Sequence, residues 1–310
     1  MNPGKKQLEK QGYRFTGEHS SVKICEWTKR ALRKEGVCYK QKFYGINTNQ
    51  CVQMTPTMTC PNRCQFCWRS LDLYTAETMK ELDNPKEIIE NSIKQQKLLL
   101  SGFGGSKKVD EELLKESFKP KHFAISLTGE PTIYPKLNEL LKELHKQDYT
   151  SFLVTNGMFP DALKNLEELP TQLYLSLDAP TKELYKEIDN PMIEDYWERF
   201  NKSLQILSKL KTRTVIRITA VRKLNMCNES DYAELIKKAN PNFVEIKSYS
   251  WVGESRERLT EENVPSYEDC LSFAEEIAKM ISYKVIDIHR ESKAILLAKE
   301  DTEDRVLNFD

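Results

Sequence analysis

The run CPNRCQFC places Cys60, Cys64 and Cys67 within eight residues, in a chain that has eight cysteines in all. Thiolates bind metals and act as nucleophiles, and each use has a count to satisfy. Three are one short of a tetrahedral zinc site, and His122 and the cysteines up to Cys51 show no paired spacing that would supply the fourth ligand. Three is also an odd number for disulfides. An iron–sulfur cube takes four ligands, so three thiolates leave one iron open to bind something else. A [4Fe-4S] cluster with an open iron is therefore preferred here over zinc or three unrelated buried thiols.

Such a centre needs polar groups around it, and regularly spaced elements follow the triplet. Short β-rich runs at 122–130, 150–157, 172–179, 213–221 and 243–251 alternate with helical patterns at 135–147, 196–210 and 230–239. A strand near NQCVQMTPT brings the count to six. This alternation builds a parallel sheet from right-handed βαβ units. It predicts an α/β protein, a partial (β/α)6 TIM-type barrel, with an open doubly wound sheet as the alternative. The segment 283–300 reads as a hairpin or closing strands. The expected organisation is an N-terminal extension over 1–50, a barrel over 51–282 and closing strands over 283–310. Ligands in such folds gather at the carboxyl ends of the strands. Thr128, Gly129, Glu130 and Thr132 fall there, as do Thr155, Asn156 and Gly157, and then Asp178. One pocket would collect these loops with the cysteine triplet.

Lys+Arg and Asp+Glu both number 47, so no global field draws the chain to nucleic acid or an anionic membrane, and a polyanionic partner must be met locally. There is no run of about 18 apolar residues, and MNPGKKQLEKQGYRF lacks the apolar core of a signal peptide. A soluble, cytoplasmic protein with no membrane partner is expected. Its cysteines then sit in a reducing compartment, where clustered thiols are ligands or catalytic groups.

The CxxxCxxC spacing resembles the signature of the radical S-adenosylmethionine superfamily, whose members are mostly partial (β/α) barrels with the cluster loop after the first strand. The resemblance implies that the methionyl amine and carboxylate of S-adenosylmethionine chelate the open iron and that Phe66 packs near the adenine. LTGEPT resembles the glycine–glutamate motif that receives the methionyl amino group, through Gly129, Glu130 and Thr132, with Thr128 standing where the family has a first glycine. Asn156 joins the cofactor set. Asp178 could reach a ribose hydroxyl, with strand-end packing as its other reading. The implied chemistry is one-electron cleavage of the sulfonium to a 5'-deoxyadenosyl radical, which abstracts hydrogen from an unactivated carbon.

Upstream, Cys25, Cys38 and Cys51 are equally spaced. Spacing alone leaves both a second site and three independent buried thiols open. Taken with CPNRCQFCWR, GEPT and LSLDAP, the set is similar to the 4-demethylwyosine synthase family of tRNA wybutosine synthesis, in its short archaeal form, along the whole chain. That resemblance implies a second [4Fe-4S] cluster on Cys25, Cys38 and Cys51, whose open iron holds pyruvate. It implies tRNA-Phe carrying N1-methylguanosine beside the anticodon as substrate, an electron donor, and a lysine that forms a Schiff base with pyruvate. Lys40 is favoured by position over Lys42. The N1-methyl group would lose hydrogen and join pyruvate, the carboxyl carbon would be lost, and a third ring would close, a lyase-class reaction.

RNA phosphates could be met by Lys29, Arg30, Arg33 and Lys34 of WTKRALRKEG, or by the glycine-rich SGFGGSKK at 101–108, each equally readable as solvated surface. Trp68 and Arg69 could stack on or pair with a displaced base, with core packing as the other reading for Trp68. Arg217 and Lys247, on strands facing the pocket, are candidates for a carboxylate of cofactor or pyruvate. Nothing demands more than a monomer. Two other functions fit the triplet: a one-cluster enzyme of the same superfamily, such as a glycyl-radical activating enzyme, and a non-enzymatic, metal-stapled RNA-binding module.

Overall fold

The computed structural model describes residues 3–71, 79 and 81–309. Within them, one sheet is built from β1 (Arg14–Phe15), β2 (Ser21–Val22), β3 (Cys51–Thr55), β4 (His122–Ile125), β5 (Thr150–Thr155), β6 (Gln172–Ser176), β7 (Arg213–Ala220), β8 (Phe243–Ser248), β9 (Lys284–His289) and β10 (Ala294–Ala298). Its order is β1-β2-β3-β4-β5-β6-β7-β8-β10-β9. Strands β3 to β8 are parallel, the six of the expected partial barrel. Antiparallel ribbons flank them on both sides, β1–β2 against β3 and β10–β9 against β8.

The crossovers are helical: Pro85–Ser101 and Glu111–Ser117, Leu137–His145, Pro160–Lys164, Lys182–Asp189 with Tyr196–Leu207, and Glu229–Ala239, while Tyr267–Ile281 follows β8. The side chains of Asn84, Asp110, Thr181 and Ser266 cap four of these helices, satisfying amides that a helix start leaves unpaired. Several strands stop short of the predicted runs, and the site explains why. The amides of Ser126 and Leu127 both bond the Met54 carbonyl, which ends β4. Beyond β6, the Asp178 carboxylate takes the Thr219 amide at 2.9 Å in place of a backbone carbonyl.

The sheet has two apolar faces. Val52, Met54, Leu153, Ile216, Ile218, Val244, Ile246 and Leu297 pack against the helices. Their alternates Phe152, Tyr174, Val215, Phe243 and Leu296 face inward, where Tyr39, Phe43 and Tyr44 of the short helix Tyr39–Tyr44 plug the lumen. This period of two sends Cys51, Arg217, Glu245 and Lys247 into the same lumen. Among the described residues, no helix is long and apolar enough to cross a membrane.

Candidate active site

The chain leaves β3 into the loop of Cys60, Cys64 and Cys67, all half-buried free thiols. Burial pushes Cys60 up to about 11 and Cys64 well above its usual value, and charge on Cys67 bears on both, so the three share one space. Among the described residues, no three Cys, His, Asp or Glu side chains converge closely enough to grip a single metal ion. A ligating thiol gives up its proton outright, so ligation reverses the protonation that burial imposes.

Three contacts clamp this loop. Arg69, only 5% exposed, donates to the Met58 carbonyl at 3.0 Å and to Cys67, setting a buried cation against the thiols. Arg258 donates to the carbonyl of Gln65 at 3.0 Å and to that of Cys67. Beside it Gly253 has φ +61, and a Cβ there would lie 2.1 Å from the Trp68 carbonyl oxygen, so glycine alone permits the approach. On the far side, the Cys64 thiol donates to Asp189 at 3.1 Å. Asp189 is 3% exposed and its second oxygen meets no hydrogen-bond donor. Burial, with Asp178 adding to it, holds the Asp189 carboxyl well above the usual range. Arg69 is thus committed to the cysteine loop, and Trp68 stacks on Tyr13 at 5.8 Å between ring centroids; neither is displayed for a displaced base.

Glu130, 1% exposed, ties the strand-end loops together. Its amide donates to the Thr59 carbonyl at 2.7 Å. Its carboxylate accepts from the Thr155 hydroxyl at 2.6 Å, the Asn156 amide at 2.7 Å, the Thr132 amide at 3.1 Å and the Thr132 hydroxyl. Burial raises this carboxyl, and the same donors oppose the rise. Gly129 has φ +73, and a Cβ there would lie 2.1 Å from the Thr57 carbonyl oxygen. The Asn156 amide nitrogen lies 3.6 Å from the Cys60 sulfur. Burial pushes Asp178 up to about 6. Phe66 packs between two apolar clusters.

Cys25 and Cys38 stand at the N-caps of the short helices Glu26–Leu32 and Tyr39–Tyr44, and Cys51 opens β3. Amides of Trp27 and Thr28 face the Cys25 sulfur, that of Lys40 faces Cys38, and that of Ala124 faces Cys51. Burial raises all three thiols, Cys38 and Cys51 up to about 12, and charge on Cys25 bears on the other two. The Cys38 amide donates to the Thr48 hydroxyl at 3.0 Å and the Thr28 hydroxyl to the Thr48 carbonyl at 3.1 Å, drawing the segments of Cys25 and Cys38 onto the turn that leads into Cys51, and Lys40 acts on all three thiols. Its ammonium lies 4.2 Å from the centroid of the Tyr174 ring. Burial lowers its pKa; Glu245 opposes that and Arg217 adds to it. Lys42 turns away to the rim, 3.1 Å from Asp287. Glu245 is fully buried and receives the Tyr39 hydroxyl at 3.0 Å and the Tyr44 hydroxyl at 2.7 Å.

The two basic stretches abut: the Arg33 guanidinium lies 5.8 Å from the Phe103 ring centroid, and Lys34 pairs with Asp110 at 2.6 Å. Part of their charge is spent locally, since Lys29 pairs with Glu26 at 3.1 Å and Arg30 lies 4.7 Å from the Trp27 ring centroid. Sequence reasoning did not single out Glu245, Tyr39, Asp189 or Arg258. Glu245 had a signal, a carboxylate at an inward position of the apolar strand FVEIKS. The others gain meaning only from tertiary contacts.

Residues 54–237 match the radical SAM superfamily, and residues 238–299 match the family described as wyosine base formation. The S-adenosyl-L-methionine-dependent tRNA 4-demethylwyosine synthase of Pyrococcus abyssi is 45% identical over 302 residues, spanning 96% of this chain and 88% of that protein. Two solved structures align over 99% of both chains. One, described as TYW1 with a lysine-pyruvate adduct bound, has a TM-score of 0.89 at 36% identity. The other, an archaeal TYW1, has a TM-score of 0.81 at 33% identity. The chain belongs to the radical S-adenosylmethionine superfamily and, within it, to the tRNA 4-demethylwyosine synthase family.

Proposed function

We propose that this chain condenses N1-methylguanosine beside the anticodon of tRNA-Phe with pyruvate, forming tricyclic 4-demethylwyosine, with S-adenosylmethionine and a [4Fe-4S] cluster on Cys60, Cys64 and Cys67. When bound, these cofactors supply one-electron cleavage of a carbon–sulfur bond and with it the means to take hydrogen from an unactivated carbon. Glu130, Gly129, Thr132 and Asn156 hold the methionyl end. One oxygen of Glu130 is given only the Asn156 amide, which leaves it an acceptor for an ammonium. Phe66 lies against the adenine and Asp178 at the ribose.

Cys25, Cys38 and Cys51, carried mainly by the N-terminal extension, hold a second [4Fe-4S] cluster that meets pyruvate. The Lys40 amine adds to the ketone carbon of pyruvate, water leaves, and an iminium fixes the three-carbon unit. The observation that carries this reading is Lys40 set among three converging thiols beside the buried, doubly hydrogen-bonded Glu245. A lysine–pyruvate adduct in a relative of 36% identity supports it. Lys42, tied to Asp287, is unsuited to the role. An external electron donor reduces the first cluster, RNA phosphates meet the basic edge formed by 27–36 and 101–108, and the chain acts as a monomer in the cytoplasm.

The test is anaerobic turnover of reconstituted enzyme with tRNA bearing N1-methylguanosine, S-adenosylmethionine, dithionite and carbon-13 pyruvate, read by mass spectrometry of the digested nucleosides. A tricyclic nucleoside carrying label from pyruvate carbons 2 and 3 is expected. Formation of 5'-deoxyadenosine with no modified nucleoside would refute the substrate assignment.

A further inference from the structure

Lys40, Arg217 and Lys247 bring three cations into the lumen, and the carboxylate at the centre of this group, Glu245, is already engaged by Tyr39 and Tyr44, one hydroxyl on each oxygen. Lys247 lies two residues beyond Glu245 on the same face, where Arg217 adds to the burial that lowers its pKa and Cys38 and Cys25 oppose that. Arg217 is different. It sits in register opposite Glu245 on one side and Ser176 on the other, and it hydrogen-bonds Tyr39. Among the described residues it makes no ion pair within 4.0 Å. A guanidinium carries five donors in a planar fork that matches a carboxylate two bonds at a time, and the side-chain hydrogen-bond partner this one shows is Tyr39. Its charge bears on both Lys40 and Asp178.

We propose that Arg217 receives the carboxylate of the keto acid held on Lys40 and selects 2-oxo acids over neutral ketones at that amine. The inference rests on the Lys40 reading above. Two anchors, an iminium at the ketone carbon and a guanidinium at the carboxylate, fix the orientation of a three-carbon substrate that one covalent bond leaves free to rotate. Arg217 touches substrate in this account, while Glu245, through Tyr39 and Tyr44, is a positioning residue.

The experiment is borohydride trapping on the reconstituted holoenzyme. Hydride adds to the iminium carbon and leaves a stable secondary amine, located by peptide mass spectrometry. Wild type, Arg217→Met, Arg217→Lys and Lys247→Met are each titrated with pyruvate and with its neutral amide, pyruvamide. Losing a charge-assisted fork is expected to raise the pyruvate concentration for half-maximal trapping by about ten- to a hundredfold in Arg217→Met. A smaller rise is expected in Arg217→Lys, and the pyruvamide curve should stay unchanged in both. An unchanged pyruvate curve in Arg217→Met, an equal loss for both ketones, or the effect appearing in Lys247→Met instead overturns the inference. Failure of the underlying reading looks different: wild type would then carry no adduct at Lys40.

Discussion

Replacing Glu130 by alanine should cost this protein far more than a ligand residue at a cleft edge would. The carboxylate is the acceptor for two buried amides, those of Asn156 at 2.7 Å and Thr132 at 3.1 Å, and for two threonine hydroxyls. The hydroxyls can rotate to other acceptors, but the amides cannot. Each buried amide that loses a charged acceptor costs about 1.5–3 kcal/mol, so Glu130→Ala should destabilise the metal-free protein by about 3–6 kcal/mol, a large share of the roughly 5–15 kcal/mol that holds a typical domain together. Glu130→Gln keeps one acceptor oxygen and turns an amino group toward a donor, and should fall between the two. The assay is urea unfolding of the apoprotein followed by circular dichroism, paired with equilibrium dialysis of S-adenosylmethionine on the reconstituted protein. A loss below about 1 kcal/mol in Glu130→Ala, set against the expected sum, would refute the view that Glu130 is the hub of the strand-end loops.

Lys40→Ala should abolish borohydride trapping of pyruvate, while Lys42→Ala, at a half-exposed rim position paired with Asp287, should trap as wild type does; the reverse pattern would exchange their roles. His122 accepts the Asn47 amide at 3.2 Å and meets the Thr150 hydroxyl at 2.7 Å, and burial, with Lys121 adding to it, pulls its pKa down to about 4. Above the ordinary value of 6.5 the ring is neutral in both folded and unfolded chains. Below it only the unfolded chain takes up the proton, so stability should fall by about 3 kcal/mol between pH 6.5 and 4. Urea midpoints measured across that range should show this slope in wild type and lose it in His122→Asn; equal slopes would contradict the assignment.

Strands β5 to β8 were legible because each carries apolar residues on both faces, which marks a sheet covered on one side and filled on the other. The ribbon β1–β2 was not, since two residues per strand are too few to express an alternation. At the site, the triplet of Cys60, Cys64 and Cys67 is local and could be read at once. Cys25, Cys38 and Cys51 come from three different elements, so their convergence is a property of the fold, and a resemblance had to stand in for it. Arg69 shows the opposite failure: its place beside the loop suggested contact with a base, whereas burial and its bond to Cys67 give it to the thiols. Asp189 ends an ordinary helix in sequence, and only its contact with Cys64 draws it into the site.

The most direct test of the account is iron analysis after anaerobic reconstitution, comparing wild type with the Cys25→Ala/Cys38→Ala/Cys51→Ala variant. Two cubes predict about eight irons per chain in wild type and about four in the variant, with cleavage of S-adenosylmethionine retained and trapping of pyruvate impaired. About four irons in both proteins would contradict the second site and leave Lys40 among three thiols that hold no cluster.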